Sequence, residues 1–141
     1  MAKFRTDNKG FVFRVYDRRT GKIYHPSFLC FDDTTHEVSY AACVEKDGSP
    51  IDIDSKDMVL DQFTGFRTKI SGIPIYEHDV LEFYYLGDTM RGMVVYNSEE
   101  HGFVAVSTEE PHTVISYLNK FFLSDSKARV VGHVCSVMHL S

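Results

Sequence analysis

With 141 residues, 15 Lys and Arg against 20 Asp and Glu, and a formal net charge of −5, the chain has the make-up of a small acidic globular protein. A chain of this length buries about 70% of its unfolded surface, which allows one core or two small interlocked ones and excludes a second full-size domain. No apolar run approaches the roughly 18 residues of a membrane span, residues 1 to 9 lack the core of a secretory signal, and Cys30, Cys43 and Cys135 are too few and too scattered for a disulfide framework, so no membrane partner and reduced thiols are expected.

The first predicted element is a hairpin. Phe11, Phe13 and Val15 share one face of a strand, Val12, Arg14 and Tyr16 the other, and the turn from Arg18 to Gly21 leads to a return strand through Ile23. Residues 1 to 24 hold seven basic and two acidic side chains, a balance of +5, while the remainder carries −10. Such asymmetry favours docking to an acidic surface or to nucleic acid, and is equally satisfied by internal pairing. A second hairpin is predicted over Phe28 to Val44, with Asp32, Asp33, Thr34 and Thr35 at its bend, followed by a loop at Lys46 to Pro50. Asp52, Asp54 and Asp57 have a trace of calcium-loop spacing, but Asp57 and Phe63 stand where that loop needs Gly and Glu. Alternation with Ile51 and Ile53 describes a solvated strand face instead.

Asp61 to Phe83 reads as one glycine-punctuated loop and the strand it feeds. Gly65 and Gly72 suit bends with positive backbone torsions, Pro74 has no amide proton for a ladder, and Asp79 is placed to cap the turn before a strand through Val80 to Tyr85. Met93 to Tyr96 and Phe103 to Val106 extend this into a three-stranded meander. Pro111, Val114, Ile115, Leu118, Phe121 and Phe122 recur at helical spacing, which predicts a helix near 111–123. A final strand is predicted from Arg129 to about Val137. The fold class expected is mainly β: residues 61–141 as a small Src-homology-3-like barrel with one short helix, and residues 1–60 as hairpins forming a second layer. Closure removes the barrel's edges and leaves those of the N-terminal region free, which predicts a symmetric homo-oligomer.

Catalytic patterns are sparse. Glu77 and Asp79 are close enough to share a face, but turn capping accounts for both. His133, Cys135 and His139 lie on one face of an extended terminal strand and offer imidazole and thiolate to zinc, without a fourth ligand or a finger-like spacing. No nucleophile elbow, phosphate-cradling loop or dinucleotide fingerprint is present, so no catalytic residue and no cofactor is assigned. Arg14, Arg18, Arg19 and Lys22 beside Phe11, Phe13, Tyr16 and Tyr24 form the candidate nucleic-acid surface.

Three blocks, in order, resemble the YopX family of phage and prophage proteins, whose function is undetermined. Phe13, Arg14, Val15, Tyr16 and Asp17, then Lys22, Ile23 and Tyr24, resemble its opening pattern. Gln62, Phe63, Thr64, Gly65, Gly72, Ile75, Tyr76, Glu77 and Asp79 resemble its central signature, with His78 where the family has glycine. Val130, Val131, Gly132, His133 and Val134 resemble its closing pattern, while residues 26 to 50 match nothing recognised. The resemblance implies a phage or prophage gene and action in the bacterial cytoplasm. Three functional readings follow: a non-catalytic binding or assembly module forming a homo-oligomer, a nucleic-acid-binding accessory protein, and a metal-dependent enzyme.

Overall fold

The computed structural model describes residues 2–5 and 13–137. These divide into two compact units, residues 1–62 and 63–141, and are mainly β with two short helices.

The first unit contains β1 (Ala2–Arg5), β2 (Phe13–Asp17), β3 (Ile23–Tyr24), β4 (Phe28–Phe31), β5 (Val38–Val44), β6 (Pro50–Asp54) and the first half of β7 (Met58–Arg67). β1, β4, β5 and β6 form one antiparallel sheet in that order, and β3, β2 and β7 are neighbours in another. Both hairpins expected from the sequence are present. Asp32 closes the second, its Oδ1 accepting from the amides of Thr34 and Thr35 at 2.8 and 2.9 Å. Phe11 and Val12 of the expected first strand lie outside the described residues. Val15, Leu29, Ala41 and Ile53 are fully buried and form a core with Tyr24, Cys43 and Met58. Each large aliphatic side chain buried there contributes about 1.5–3 kcal/mol. Burial pushes the Cys43 thiol up to about 12, helped by Asp52, Asp17 and Glu45, so it remains a protonated core residue.

β2 departs from simple alternation, since Arg14, Val15, Tyr16 and Asp17 are all buried. A polar side chain in such a strand needs an internal partner. Arg14 finds one in Asp61, with both its Nε and Nη2 atoms 2.9 Å from Oδ2. The β2–β7 register makes this possible by setting Arg14 opposite Asp61. Asp17 instead organises the hairpin turn, accepting from the backbone and side chain of Arg19 and from the hydroxyl of Thr20. Burial works to raise the Asp17 carboxyl, but those hydrogen bonds and the Arg19 charge outweigh it and hold it below the usual carboxylate range.

The second unit continues β7 and adds β8 (Pro74–Tyr76), β9 (Asp79–Tyr85), β10 (Asp88–Asn97), β11 (Gly102–Ser107), β12 (Val114–Tyr117), α1 (Lys120–Asp125), β13 (Arg129–His133) and α2 (Val134–Val137). A five-stranded antiparallel sheet runs β12-β11-β10-β9-β13, so the expected meander is present and the last strand returns to pair with the first of the set. Ile75, Leu81, Phe83, Val94, Leu118 and Leu123 are its buried core. Glu82 lies opposite Arg91 on one side and Arg129 on the other. Hydrogen bonds from Arg129, then Arg91, hold its carboxyl below the ordinary range despite some desolvation.

Three expectations need correction. Val114 to Tyr117 is a strand, and the helix is confined to Lys120–Asp125. β-branched Val114 and Ile115 favour the pleated ladder beside β11, and Asn119 provides the true N-cap by accepting from the Phe122 amide at 2.9 Å. The terminal strand ends at His133, where α2 begins. Asp61 to Arg67 belongs to a strand rather than a loop. The five-stranded sheet curls as a half-barrel, with β12 and β13 at the ends of its strand order among the described residues.

Depressed carboxyls set the acid response. Asp17, Asp32, Asp47 and Glu82 all have folded pKa values below their ordinary ones. The stabilisation they supply is complete above the unfolded pKa of about 4 and is lost as pH falls through the lower folded values. Urea midpoints are therefore expected to hold from neutral pH to about 4.5 and then drop. Asp17→Asn should flatten part of that drop, and an unchanged slope in this variant would contradict the assignment.

Candidate functional site

The signature residues are first of all a hydrogen-bonding framework. Gly65 has φ of +87° within β7, at the register shift between Phe63 and Arg67, as a glycine bulge requires. Thr64 beside it donates to the Ile75 carbonyl at 2.7 Å and accepts from the Phe66 amide at 3.1 Å. Gly72 closes the β7–β8 turn, donating to the Thr68 carbonyl at 3.0 Å. Ile75 and Tyr76 are buried, and the Tyr76 amide donates to Asp79 Oδ2 at 2.8 Å. Asp79 is buried as a turn cap, Glu77 is half-buried, and Gln62 is exposed opposite Phe13. Gly132 sits at the register shift of β13.

His78 explains its own departure from the family pattern. Its φ is +70°, a conformation in which glycine carries no Cβ penalty. Its amide donates to the Val94 carbonyl at 2.7 Å and its carbonyl accepts from Val134 at 2.8 Å, which fix the backbone whatever the side chain.

The basic hairpin offers less charge than its sequence promises. Arg14 is buried against Asp61, Arg19 pairs with Asp17, and Lys22 Nζ lies 3.6 Å from Glu45. Arg18 is exposed. Of the zinc-like set, His133 is buried, Cys135 lies in α2 rather than an extended strand, and His139 is outside the described residues. His133 Nδ1 accepts from the Cys135 amide at 3.1 Å, which engages that ring nitrogen. Asp52 and Asp54 are exposed on β6 around buried Ile53.

A site that the sequence does not announce lies in the second unit. Tyr85 and Asp88 are paired across β9 and β10, leaving Leu86 and Gly87 as a two-residue turn with φ of +51° and +87°. That turn type favours Asn-Gly, because both central residues need positive φ. Here the first is leucine, and 87% of it is exposed. Beside it a groove of about 350 Å³ is lined by Tyr84, Tyr85, Leu86, Phe121 and Phe122, with Ser116, Asn119 and Asp125 among its polar members. Phe121 is 81% exposed and Tyr84 60%.

This apolar surface is held rigidly. Phe122 packs its ring edge-on to Phe83 at 5.1 Å, and the Tyr84 amide donates to the Ser126 carbonyl at 2.9 Å. Phe121 is consequently presented outward by a helix whose neighbours Phe122 and Leu123 are anchored. Helical spacing groups Phe121 with Leu118 and Phe122 and does not tell its exposure apart from theirs. The one available signal was Tyr-Tyr-Leu-Gly-Asp, a tight hairpin tip lacking the polar residue such tips prefer.

The sequence pattern of the YopX protein family matches residues 12–136, and the chain belongs to that family. No curated protein and no solved structure matches it.

Proposed function

We propose that this YopX protein is a non-catalytic assembly module whose second unit joins another copy of itself through the Tyr84–Leu86 tip and Phe121. The observation that carries this reading is an apolar side chain kept on strained backbone at an exposed tip, beside a second large apolar side chain on an anchored helix. Left-handed backbone at a non-glycine residue costs about 1–2 kcal/mol, and covering a leucine or phenylalanine offsets that by about 1.5–3 kcal/mol. Clustered exposed apolar residues on a fixed frame are the usual mark of an interaction surface.

The free edges favoured by the sequence serve assembly less well. β6 carries Pro50 with exposed Asp52 and Asp54, and β3 is only two residues long. Prolines, charges and short strands are devices that discourage edge pairing. These features favour the second unit over the N-terminal edges as the working site. We also infer an Src-homology-3-like plan for that unit, supported by its four-stranded meander and the return of β13 to β9.

Hydrogen exchange at low and high protein concentration tests the assembly reading. Amides at 84–87 and 119–122 should gain protection as concentration rises. Concentration-independent exchange there, or protection gained along β6 instead, would overturn it.

A further inference from the structure

A second groove of the same unit carries a different chemistry. It encloses about 420 Å³ and is lined by Gly65, Phe66, Arg67, Thr68, Lys69, Lys120, Leu123 and Ser124. Three of its residues are cations, and no Asp or Glu is among the described lining residues. Residues 63–141 contain six Lys and Arg against nine Asp and Glu, so half of this unit's cations gather in one groove of an acidic unit. Two of the other three, Arg91 and Arg129, are paired with Glu82.

The cationic rim is preorganised. Arg67 donates to the Gly72 carbonyl at 3.2 Å and its guanidinium lies 5.8 Å from the Phe63 ring centre, which leaves further N–H donors on its planar fork. Thr68 is buried, accepts from the Ile73 amide at 3.0 Å and shares a hydrogen bond with Ser71 at 2.9 Å, so the turn carrying Lys69 has a fixed shape. Lys120 opens α1 from the opposite wall. Gly65, at φ +87°, has open space where a Cβ would stand, and the floor is half-buried Phe66 with buried Leu123.

We propose that this groove binds single-stranded nucleic acid, with Arg67, Lys69 and Lys120 on successive phosphates and the Phe66 side of the floor meeting base faces. Charge complementarity selects a polyanion, and a guanidinium fork suits phosphate oxygens. An aromatic floor beneath a cationic rim is the arrangement that holds a strand by backbone charge and base stacking together. This site differs from the basic hairpin that the sequence offered; it shares α1 with the aromatic groove, but no described residue lines both.

The test is fluorescence anisotropy with labelled oligothymidylate and oligouridylate, alongside poly-glutamate and anionic lipid vesicles as competitors. Binding is expected to weaken with salt at a slope of about −2 in log–log form, as three phosphate contacts to a single strand require. Arg67→Gln, Lys69→Gln and Lys120→Gln should each reduce affinity uniformly across sequences and lower that slope by somewhat under one. All three positions are exposed, so unchanged circular dichroism is expected and separates lost binding from lost fold. Equal displacement by poly-glutamate or by vesicles would overturn the proposal, as would affinity lost through Arg18→Gln but unaffected by the groove variants.

Discussion

Leu86→Asn is expected to make the isolated protomer more stable while removing its capacity to assemble. Leu86 holds φ of +51° with its side chain almost wholly exposed, so the folded protomer gains little from it and carries the cost of a left-handed Cβ. Asparagine tolerates that conformation and completes the Asn-Gly pair with Gly87 that a two-residue hairpin favours. The stability gain should be about 1 kcal/mol, a rise of about 3–5 °C in the thermal midpoint measured in dilute solution. Assembly should move the opposite way, because a polar group replaces an apolar anchor at the tip. Opposed changes in stability and association are characteristic of residues kept for function rather than for folding. If Leu86→Asn lost stability in dilute solution, the tip would be anchoring the protomer's own fold and the strain argument would collapse.

The second large effect belongs to the first unit. Arg14→Met is expected to cost about 3–5 kcal/mol, because it leaves the Asp61 carboxylate buried without the guanidinium that neutralises it. Both side chains are nearly inaccessible, at 8% and 0% exposure, so water cannot take the place of the lost partner. Asp61→Leu added to Arg14→Met should recover a large part of that loss, since a matched apolar pair avoids burying any charge. Urea unfolding of the two single variants and the double variant reads the coupling directly. Single-variant losses below about 1 kcal/mol would show that the pair is solvated in practice and not a structural tie.

Much of the fold was legible because its signals are local. Gly65 and Gly72 announced positive φ, Asp32 and Asp79 announced turn caps, and alternating apolar residues announced the strands of both hairpins and the meander. Each depends on one residue's own conformational or hydrogen-bonding preference. The helix was misplaced for the opposite reason. Val114, Ile115 and Leu118 satisfy a helical period and also a strand, and pairing with β11, contributed by a segment about ten residues earlier, settled the choice. Residues 61 to 67 looked like a loop because the glycine that marks a bulge also marks a turn.

The candidate sites were less legible than the frame. Arg14 stood out as a cation beside aromatic residues, yet its partner Asp61 lies 47 positions away and only the β2–β7 register brings them together. Arg19 pairs locally with Asp17, two positions away, and exposed Lys22 lies near Glu45. Arg67, Lys69 and Lys120 attracted no notice, because 51 residues separate the last two and nothing local links them. Phe121 could not be told from Phe122 by periodicity, since exposure depends on which side of α1 meets β9. Sequence thus revealed preferences of single residues, while the grooves arise from register and packing.

Light scattering on the wild-type chain and on Leu86→Asn at micromolar concentration tests the central claim most directly. The expected result is a multimeric mass for the wild type and a protomer mass for the variant, with both folded by circular dichroism. A wild-type protomer mass throughout the micromolar range, or a multimer that Leu86→Asn leaves intact, would contradict assembly through the aromatic tip.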